Sequence, residues 1–253
     1  SGEGDDEVAK ARALNGLTGI LSIRSRELLP YLVPRLLQRP ISVSHADALG
    51  SIAGVTGGTI HMHFSTIVPA LIVELAAFYG EELDDDAKER EEAIRGCARR
   101  ICGGVDDTGV NWLIGEIASK CSSDKDGVRK ESCWMLQVVA EERKDEADFY
   151  EQIPIMYREL LYRLNDECSV VLKAANAALG AISKNVPAEE LVKHIEFIRN
   201  LIASMVSDAR RRKGGVGDGE FLLPGFNMPK GLEPLLPVYQ RGILYGNASI
   251  REV

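Results

Sequence analysis

The residues of this sequence that could recognise another molecule are basic side chains on predicted helices. Arg95 and Arg99 are four residues apart, so a helix places them on one side, away from its apolar stripe. One repeat later, Arg129 and Lys130 open another predicted helix, and helices of this kind line one surface of a repeat stack. Guanidinium groups bind carboxylates through paired hydrogen bonds. We therefore predict a basic ridge that binds an acidic protein partner, formed by Arg95, Arg99, Arg100, Arg129 and Lys130.

The same cations have acidic neighbours along the chain. Arg95 follows Glu91 and Glu92 by about one helical turn, and Arg129 follows Asp126 by a similar distance. Residues at these spacings are neighbours on the same side of a helix. The alternative interpretation is that these arginines form ion pairs within their own helices, and the sequence leaves both interpretations open.

A second basic run precedes a glycine-rich stretch at 214–219. That stretch lacks the Gly-Lys-Ser/Thr ending of a phosphate-binding loop, so it predicts a flexible polar loop at about 208–220. The alternative is that the basic run binds an acidic partner and that the loop orders on binding. This secondary partner-binding loop consists of Arg210, Arg211, Arg212 and Lys213.

No arrangement of residues predicts catalysis or metal binding. His61 and His63 are separated by one residue, a spacing that no helix places on one face, and no cysteine or carboxylate lies at a usual zinc spacing nearby. We interpret residues 61–63 as a solvated turn. Serine, histidine and aspartate occur without a nucleophile elbow. We therefore expect a protein that is not an enzyme, with no catalytic residue, metal, cofactor or small-molecule ligand.

The composition narrows the class of partner and the compartment. The 253 residues carry a net charge of −8, with 38 acidic against 30 basic side chains, which argues mildly against a nucleic-acid binder. The five cysteines form no Cys-x-x-Cys pair and fall in apolar helical stretches, which favours buried free thiols in a reducing compartment. No signal peptide and no apolar run near the ~20 residues of a membrane span are visible. We expect a soluble, cytoplasmic protein without membrane contact.

Nearly every segment has helical periodicity. Apolar-proline steps recur at Pro69, Pro154 and Pro237, at intervals close to two HEAT repeats of ~40–47 residues. These features predict one all-α domain over 1–253, a HEAT-repeat α-solenoid of about five to six helix pairs, and the lack of polar caps predicts a fragment of a longer array. The predicted helices cover 11–21, 28–37, 42–55, 64–79, 87–102, 110–121, 128–140, 150–164, 170–183, 191–206 and 232–244, with Ser42 as a cap and a last helix starting at 248.

Three stretches carry a more specific signal. They are SRELLPYLVPRLLQRPISVSHADALGSIAG at 25–54, VDDTG at 105–109 and FLLPGFNMPKGLEPLLPVYQRGILYG at 221–246. Together they resemble the C-terminal region of the family of very large HEAT-repeat proteins called general control non-derepressible protein one. The resemblance runs across essentially the whole chain, and ordinary HEAT repeats lack the last of the three stretches.

The resemblance implies a protein-docking function. Members of this family activate the kinase that phosphorylates the alpha subunit of eukaryotic initiation factor 2 when amino acids run short, and full-length members sit on ribosomes. The region resembled here binds the RWD domain at the kinase N-terminus through basic surface residues, for which Arg95, Arg99, Arg100 and Arg129 are candidates. Two alternatives remain open: a surface that contacts the ribosome or RNA, and a structural spacer in a large scaffold.

Overall fold

The computed structural model of the chain describes residues 2–144 and 146–212, together with Gln240 and Leu244. All regular structure in these residues is helical, so the all-α prediction is confirmed. The chain divides into two compact units, Ser1–Glu116 (unit 1) and Ile117–Val253 (unit 2), and the single domain over 1–253 stays a prediction. The helices are α1 (Gly2–Leu36), α2 (Val43–Ala53), a 3₁₀ helix (Gly57–His63), α3 (Phe64–Ala76), α4 (Asp85–Gly104), α5 (Val110–Lys120), α6 (Asp126–Glu142), α7 (Ala147–Glu151), α8 (Ile153–Arg163), α9 (Ser169–Asn185), α10 (Ala188–Lys193) and α11 (Ile195–Arg212).

The first two helices of unit 1 show where local sequence signals succeed and fail. Two predicted helices, 11–21 and 28–37, are joined in α1, which bends at Arg24, where φ is −129° and ψ is 35°. The next helix begins where predicted. The Ser42 hydroxyl caps α2 by accepting a hydrogen bond from the His45 amide at 3.2 Å.

Helices α2 and α4 form the most extensive helix pair of unit 1. Their backbones come close where both carry glycine, because a Cβ added to Gly104 would lie 3.7 Å from the Cα of Gly54. Both helices also bury apolar side chains. The buried apolar residues of the two helices are Ala46, Leu49, Ile52, Ala53, Ile94, Cys97, Ala98, Ile101 and Cys102.

A buried carboxylate in α3 fixes the segment that leads into α2. Glu74 is 4% exposed, and it accepts hydrogen bonds from the Ile41 amide at 3.1 Å and from Nε of Arg39 at 2.8 Å. Both oxygens of the carboxylate are therefore satisfied, as burial of a charged group requires. The contact ties residues 39–41 to α3.

One stretch of the described residues, Gly57–Ala76, is long and apolar enough to cross a membrane by length and composition. Half of its most apolar window is buried inside the protein. On α3, the side chains of Ile67, Val68, Leu71 and Ile72 are fully buried in unit 1. Burial of this kind is typical of a helix in a protein core.

In unit 2, the most extensive helix pair is α6 with α9, and α8 contacts both α9 and α11. Buried residues recur about every turn on each member of the pair, which is the pattern of a helix with one apolar face. On α6 the apolar ones are Val128, Cys133, Met135, Leu136, Val138, Val139 and Ala140, and on α9 they are Val171, Ala175, Ala178, Leu179 and Ile182.

Two predicted helices of unit 2 are each divided into a short and a long helix. The predicted helix 150–164 is divided at Gln152, and Pro154 then lies in the first turn of α8, where its missing N–H costs no helical hydrogen bond. The predicted helix 191–206 is divided at His194 into α10 and α11. The predicted helices at 232–244 and from 248 lie outside the described residues, except that Gln240 and Leu244 are helical.

The cysteines are all free thiols. Four of them are buried and Cys168 is half-buried, which confirms the prediction of buried thiols for four of the five. Burial raises the pKa of Cys97 to about 12. A hydrogen bond with Cys133, together with burial, raises the pKa of Cys121. A raised pKa keeps a thiol protonated and unreactive at neutral pH.

Candidate functional site

Helix α4 carries three of the five cations of the predicted ridge. Its first turn is capped by Asp84, whose carboxylate accepts a hydrogen bond from the Ala87 amide at 2.7 Å. Its apolar stripe is buried, as the sequence predicts, so the basic side chains lie on other faces of the helix. Arg99 and Arg100 are exposed, whereas Arg95 is partly buried.

Arg95 is paired within its own helix. Its Nε and Nη2 lie 2.8 Å and 2.7 Å from Oε1 of Glu91, and each side chain keeps about a quarter of its surface exposed. The alternative interpretation, an ion pair one turn back along the helix, is therefore confirmed for this residue.

Arg100 reaches from α4 to α2. Its Nη2 donates a hydrogen bond to Oδ1 of Asp47 at 2.8 Å, while 43% of its side chain stays exposed. The guanidinium lies directly against Gly50, because a Cβ added there would be 2.3 Å from Nε of Arg100. This side chain thus forms part of the contact between the two helices and also faces solvent.

All three guanidinium nitrogens of Arg129 donate hydrogen bonds within unit 2. Its Nε and Nη2 donate to the two carboxylate oxygens of Asp166 at 2.8 Å and 2.7 Å. Nη2 also donates to Asp126 at 2.8 Å, which confirms the alternative interpretation for Arg129 as well. Nη1 donates to the backbone carbonyls of Ser123 and Asp124. The network ties the start of α6 to the turn before α9.

Asp166 is the acceptor at the centre of this network, with 3% of its side chain exposed. It also accepts a hydrogen bond from Arg163 at 3.3 Å and one from the Cys168 amide at 3.0 Å. Burial alone would raise the pKa of Asp166, but the hydrogen bond from Arg129 and the surrounding donors and charges outweigh it and lower the pKa. In return, the hydrogen bond to Asp166 raises the pKa of Arg129.

Lys130 lies next to this network. Its Nζ is 2.5 Å from Oε1 of Glu131, whose side chain is 1% exposed, and Lys130 itself is half-buried. Because Lys130 belongs to unit 2 and the arginines of α4 belong to unit 1, the common face that the sequence predicts for them stays a prediction.

The secondary partner-binding loop lies only partly within the described residues. The backbone of Arg210, Arg211 and Arg212 forms the end of α11. Their side chains and the whole of Lys213 lie outside the described residues, as does the glycine-rich stretch that follows. The loop predicted at about 208–220 is therefore wrong for residues 208–212, which are helical, and it stays a prediction for 213–220.

The interpretation of residues 61–63 as a solvated turn is wrong for His61. Its side chain is 7% exposed, and its Nε2 lies 3.4 Å from Oδ1 of Asp106. The amide and hydroxyl of Thr108 hold Asp106 in position by donating to Oδ1 at 3.0 Å and 2.7 Å. Gly109 makes room for the ring, since a Cβ there would lie 2.2 Å from Nε2 of His61. Of residues 61–63, only Met62 is well exposed, at 72%.

The His61 contact explains the VDDTG stretch at 105–109 as a structural feature. Burial lowers the pKa of His61, and the charge of Asp106 opposes that effect only in part. Burial would raise the pKa of Asp106, but hydrogen bonds from Thr108 and the neighbouring His61 outweigh it, so that this pKa is lowered. The threonine and glycine that follow the aspartate are the signal from which a buried partner could have been inferred.

Sequence reasoning also missed the residues that receive the ridge arginines. It does not identify Asp166 as the acceptor of Arg129. It does not connect Asp47 or Gly50 with Arg100. The available signal was Gly50 itself, because glycine in the middle of a helix is unfavourable unless another group approaches closely.

Comparison with known proteins identifies the family. The model of the family described as stalled ribosome sensor GCN1-like, HEAT repeats, matches residues 28–230. Protein ILITYHIA of Arabidopsis thaliana and the eIF-2-alpha kinase activator GCN1 of Dictyostelium discoideum are each 32% identical to this chain over 95% of its length. The stalled ribosome sensor GCN1 of Homo sapiens is 30% identical over 98% of it.

The chain spans only 8% of the length of the first two relatives and 9% of the third. The match to the family nevertheless covers most of this chain, and it agrees with the helical repeats of the structure and with the resemblance seen in the sequence. This chain belongs to the GCN1-like HEAT-repeat family.

Proposed function

We propose that this chain is a non-catalytic docking module that binds an acidic RWD domain at the N-terminus of the kinase acting on the alpha subunit of eukaryotic initiation factor 2. The observation that supports it most is that Arg99 and Arg100 of α4 are exposed, outside the buried apolar stripe of that helix. A relative from Dictyostelium discoideum bears the name eIF-2-alpha kinase activator GCN1, which agrees with a kinase partner.

The cations of the predicted ridge have different parts in this proposal. Arg99 and Arg100 are exposed and make the first contact with the acidic partner. Arg95 contributes a positive charge to the surface, although it is paired with Glu91. Arg129 has structural contacts on all three of its nitrogens, so its part in partner binding is the weakest of the set, and Lys130 is held by Glu131. Apolar side chains supply most of the affinity in such interfaces, while charges select the partner and speed association.

In the cell, the proposed contact enables activation of the kinase during amino-acid starvation and so controls translation in the cytoplasm. The full-length parent protein brings the module to the ribosome. The basic run from Arg210 to Lys213 is a second, independent point of contact in this proposal. No cofactor or small-molecule ligand takes part.

The test is calorimetric titration of this chain with a purified RWD domain of the kinase. The double substitution Arg99→Ala and Arg100→Ala removes the exposed charge of α4, so we expect it to weaken binding at least about tenfold. The control is Arg158→Ala, because Arg158 is a 53% exposed arginine on α8 that forms an ion pair with Glu159 and lies outside the predicted ridge. An equal loss of affinity in both variants, or none in either, would contradict the proposal.

A second candidate function is contact with ribosomal RNA. The name of the human relative, stalled ribosome sensor GCN1, supports a ribosomal setting, whereas the net charge of −8 argues against phosphate binding. Binding to RNA releases counterions, so its affinity falls steeply with salt. Titration with an RNA duplex at low and high salt separates the two candidates: steep salt dependence with RNA, and no binding of the RWD domain, would favour RNA.

A further inference from the structure

Gly50 lies in the middle of α2, where glycine is a poor choice for helix stability. It is buried, and the space that a side chain would occupy is taken by Arg100. A Cβ added to Gly50 would lie 2.3 Å from Nε, 2.8 Å from Cζ and 2.9 Å from Nη2 of that arginine. By contrast, a Cβ added to Gly96, another helical glycine, would meet no atom within 4 Å. The missing side chain of Gly50 therefore makes a notch for one flat guanidinium.

Within this notch, Arg100 is held along one edge. Three of its guanidinium atoms lie against Gly50, and Nη2 also donates to Asp47 at 2.8 Å. Nε and Nη1 make no hydrogen bond to any residue in the described part of the chain, and 43% of the side chain is exposed. The orientation of the Arg100 guanidinium is thus fixed, and the group still has N–H donors that could bind another molecule.

Arg95 and Arg129, two other arginines of the predicted ridge, differ from Arg100 in this respect. Arg95 places both Nε and Nη2 on the carboxylate of Glu91. Arg129 uses Nε, Nη1 and Nη2 for four residues of its own unit. A carboxylate from a partner would have to break existing pairs to reach either of them, but it would not have to displace anything from Nη1 of Arg100.

We propose that the Gly50 notch and Asp47 position Arg100 so that the open part of its guanidinium binds a carboxylate of the acidic partner. The inference rests on the proposed function, since it names the residues that prepare one contact of that surface. Holding the side chain in advance lowers the conformational entropy that binding costs. Gly50 and Asp47 are then positioning residues, which act on the partner only through Arg100.

The sharpest test is a double-mutant cycle with the RWD domain as the probe. Gly50→Ala pushes the guanidinium out of the notch, and we expect it to weaken binding several-fold, while Arg100→Ala weakens it about tenfold. If Gly50 acts only through Arg100, adding Gly50→Ala to Arg100→Ala has no further effect. Additive losses would overturn the proposal, because they would mean that position 50 affects binding independently.

The controls separate positioning from folding. The displaced atoms belong to the end of a flexible, half-exposed side chain, so Gly50→Ala should leave the Tm within about 3 °C of the parent. The matched control is Gly54→Ala in the same part of the fold, where a Cβ would only meet the Ser51 carbonyl at 3.7 Å. It should leave binding unchanged. Arg100→Lys keeps the charge but not the flat fork, and it should bind as weakly as Gly50→Ala.

A second probe keeps this inference distinct from the proposed function. A hexaglutamate peptide is added to the protein, and the Nε–Hε resonance of Arg100, assigned with Arg100→Lys, is followed by NMR. A shift that is clear in the parent and lost in Gly50→Ala supports the notch even if the RWD domain does not bind. Equal shifts in both proteins would overturn it. An RNA oligonucleotide that shifts the resonance when hexaglutamate does not would also overturn the carboxylate assignment.

Discussion

The two main helix pairs of the molecule are each crossed by an arginine, but in different surroundings. In unit 1, Arg100 of α4 reaches Asp47 of α2, with side chains that are 43% and 52% exposed. In unit 2, Arg129 of α6 reaches Asp166, next to α9, with side chains that are 12% and 3% exposed. The same residue types therefore form a surface contact in one pair and a buried network in the other.

The difference matters because the free energy of an ion pair depends on its burial. An exposed pair contributes about 0–1 kcal/mol, since water solvates both charges well when they are apart. Removing one partner of a buried pair costs about 3–5 kcal/mol, because it leaves a desolvated charge behind. Arg129 is thus needed for the stability of the fold. Arg100, in contrast, can exchange part of its contact with solvent for contact with a partner without loss of stability.

The largest effect should come from Asp166→Ala. The substitution leaves Arg129 and Arg163 buried without their shared acceptor, so we expect the free energy of unfolding to fall by about 3–5 kcal/mol. Urea denaturation followed by circular dichroism measures it. Asp47→Ala is the matched control and should cost at most about 1 kcal/mol. Similar losses for the two variants would contradict the contrast between the helix pairs.

A glycine comparison within unit 1 should give the next largest effect. A Cβ at Gly109 would meet the buried His61 ring at 2.2 Å, and a buried ring cannot move aside as the end of an exposed arginine can. Overpacking of this kind costs about 1–3 kcal/mol, so Gly109→Ala should destabilise the protein by that amount in the same assay.

The control for Gly109 is Gly115 in α5, where a Cβ would meet no atom within 4 Å. Gly115→Ala should be neutral or stabilise the protein by up to about 1 kcal/mol, because alanine favours the helix. A stable Gly109→Ala variant would show that the His61 ring has room to move.

Acid should weaken the α6–α9 network specifically. The pKa of Asp166 is lowered in the folded protein, so its contribution is complete above the unfolded value of about 3.9 and is lost as the pH falls through the folded value. Thermal melts of the parent and of Asp166→Asn should therefore differ most at neutral pH and begin to converge as the pH falls below about 4. A difference in Tm that stays constant across this range would show that Asp166 is not charged in the fold.

Much of the fold is predictable from the sequence because it follows from local periodicity. Buried residues recur along α4, α6 and α9 as the apolar stripes predict, and the Ser42 cap depends only on its own neighbours. The joined α1 and the division of two later helices are harder to predict. They depend on the backbone at single residues, such as Arg24, whose φ and ψ are not helical, and Gln152, which lies between α7 and α8.

The candidate site is less predictable because its contacts join distant parts of the chain. Spacing along one helix identifies Glu91 and Asp126 as partners of Arg95 and Arg129. The contacts of Arg100 with Asp47 and of Arg129 with Asp166 span 53 and 37 residues, and they depend on which helices pack together. His61 is misjudged for the same reason, since Asp106 and Gly109 reach it only in the folded chain.

The smallest effect on stability should come from Arg100→Ala, and it sharpens the contrast with Arg129→Ala. Loss of the exposed pair with Asp47 should change the free energy of unfolding by less than about 1 kcal/mol, and about 0.5 M NaCl should reduce even that change by screening. Arg129→Ala should stay strongly destabilising in the same salt, because its partner Asp166 is buried. Urea titrations of both variants at low and high salt measure these differences. Salt that rescues Arg129→Ala as fully as Arg100→Ala would mean that the two pairs differ in geometry but not in exposure to solvent ions.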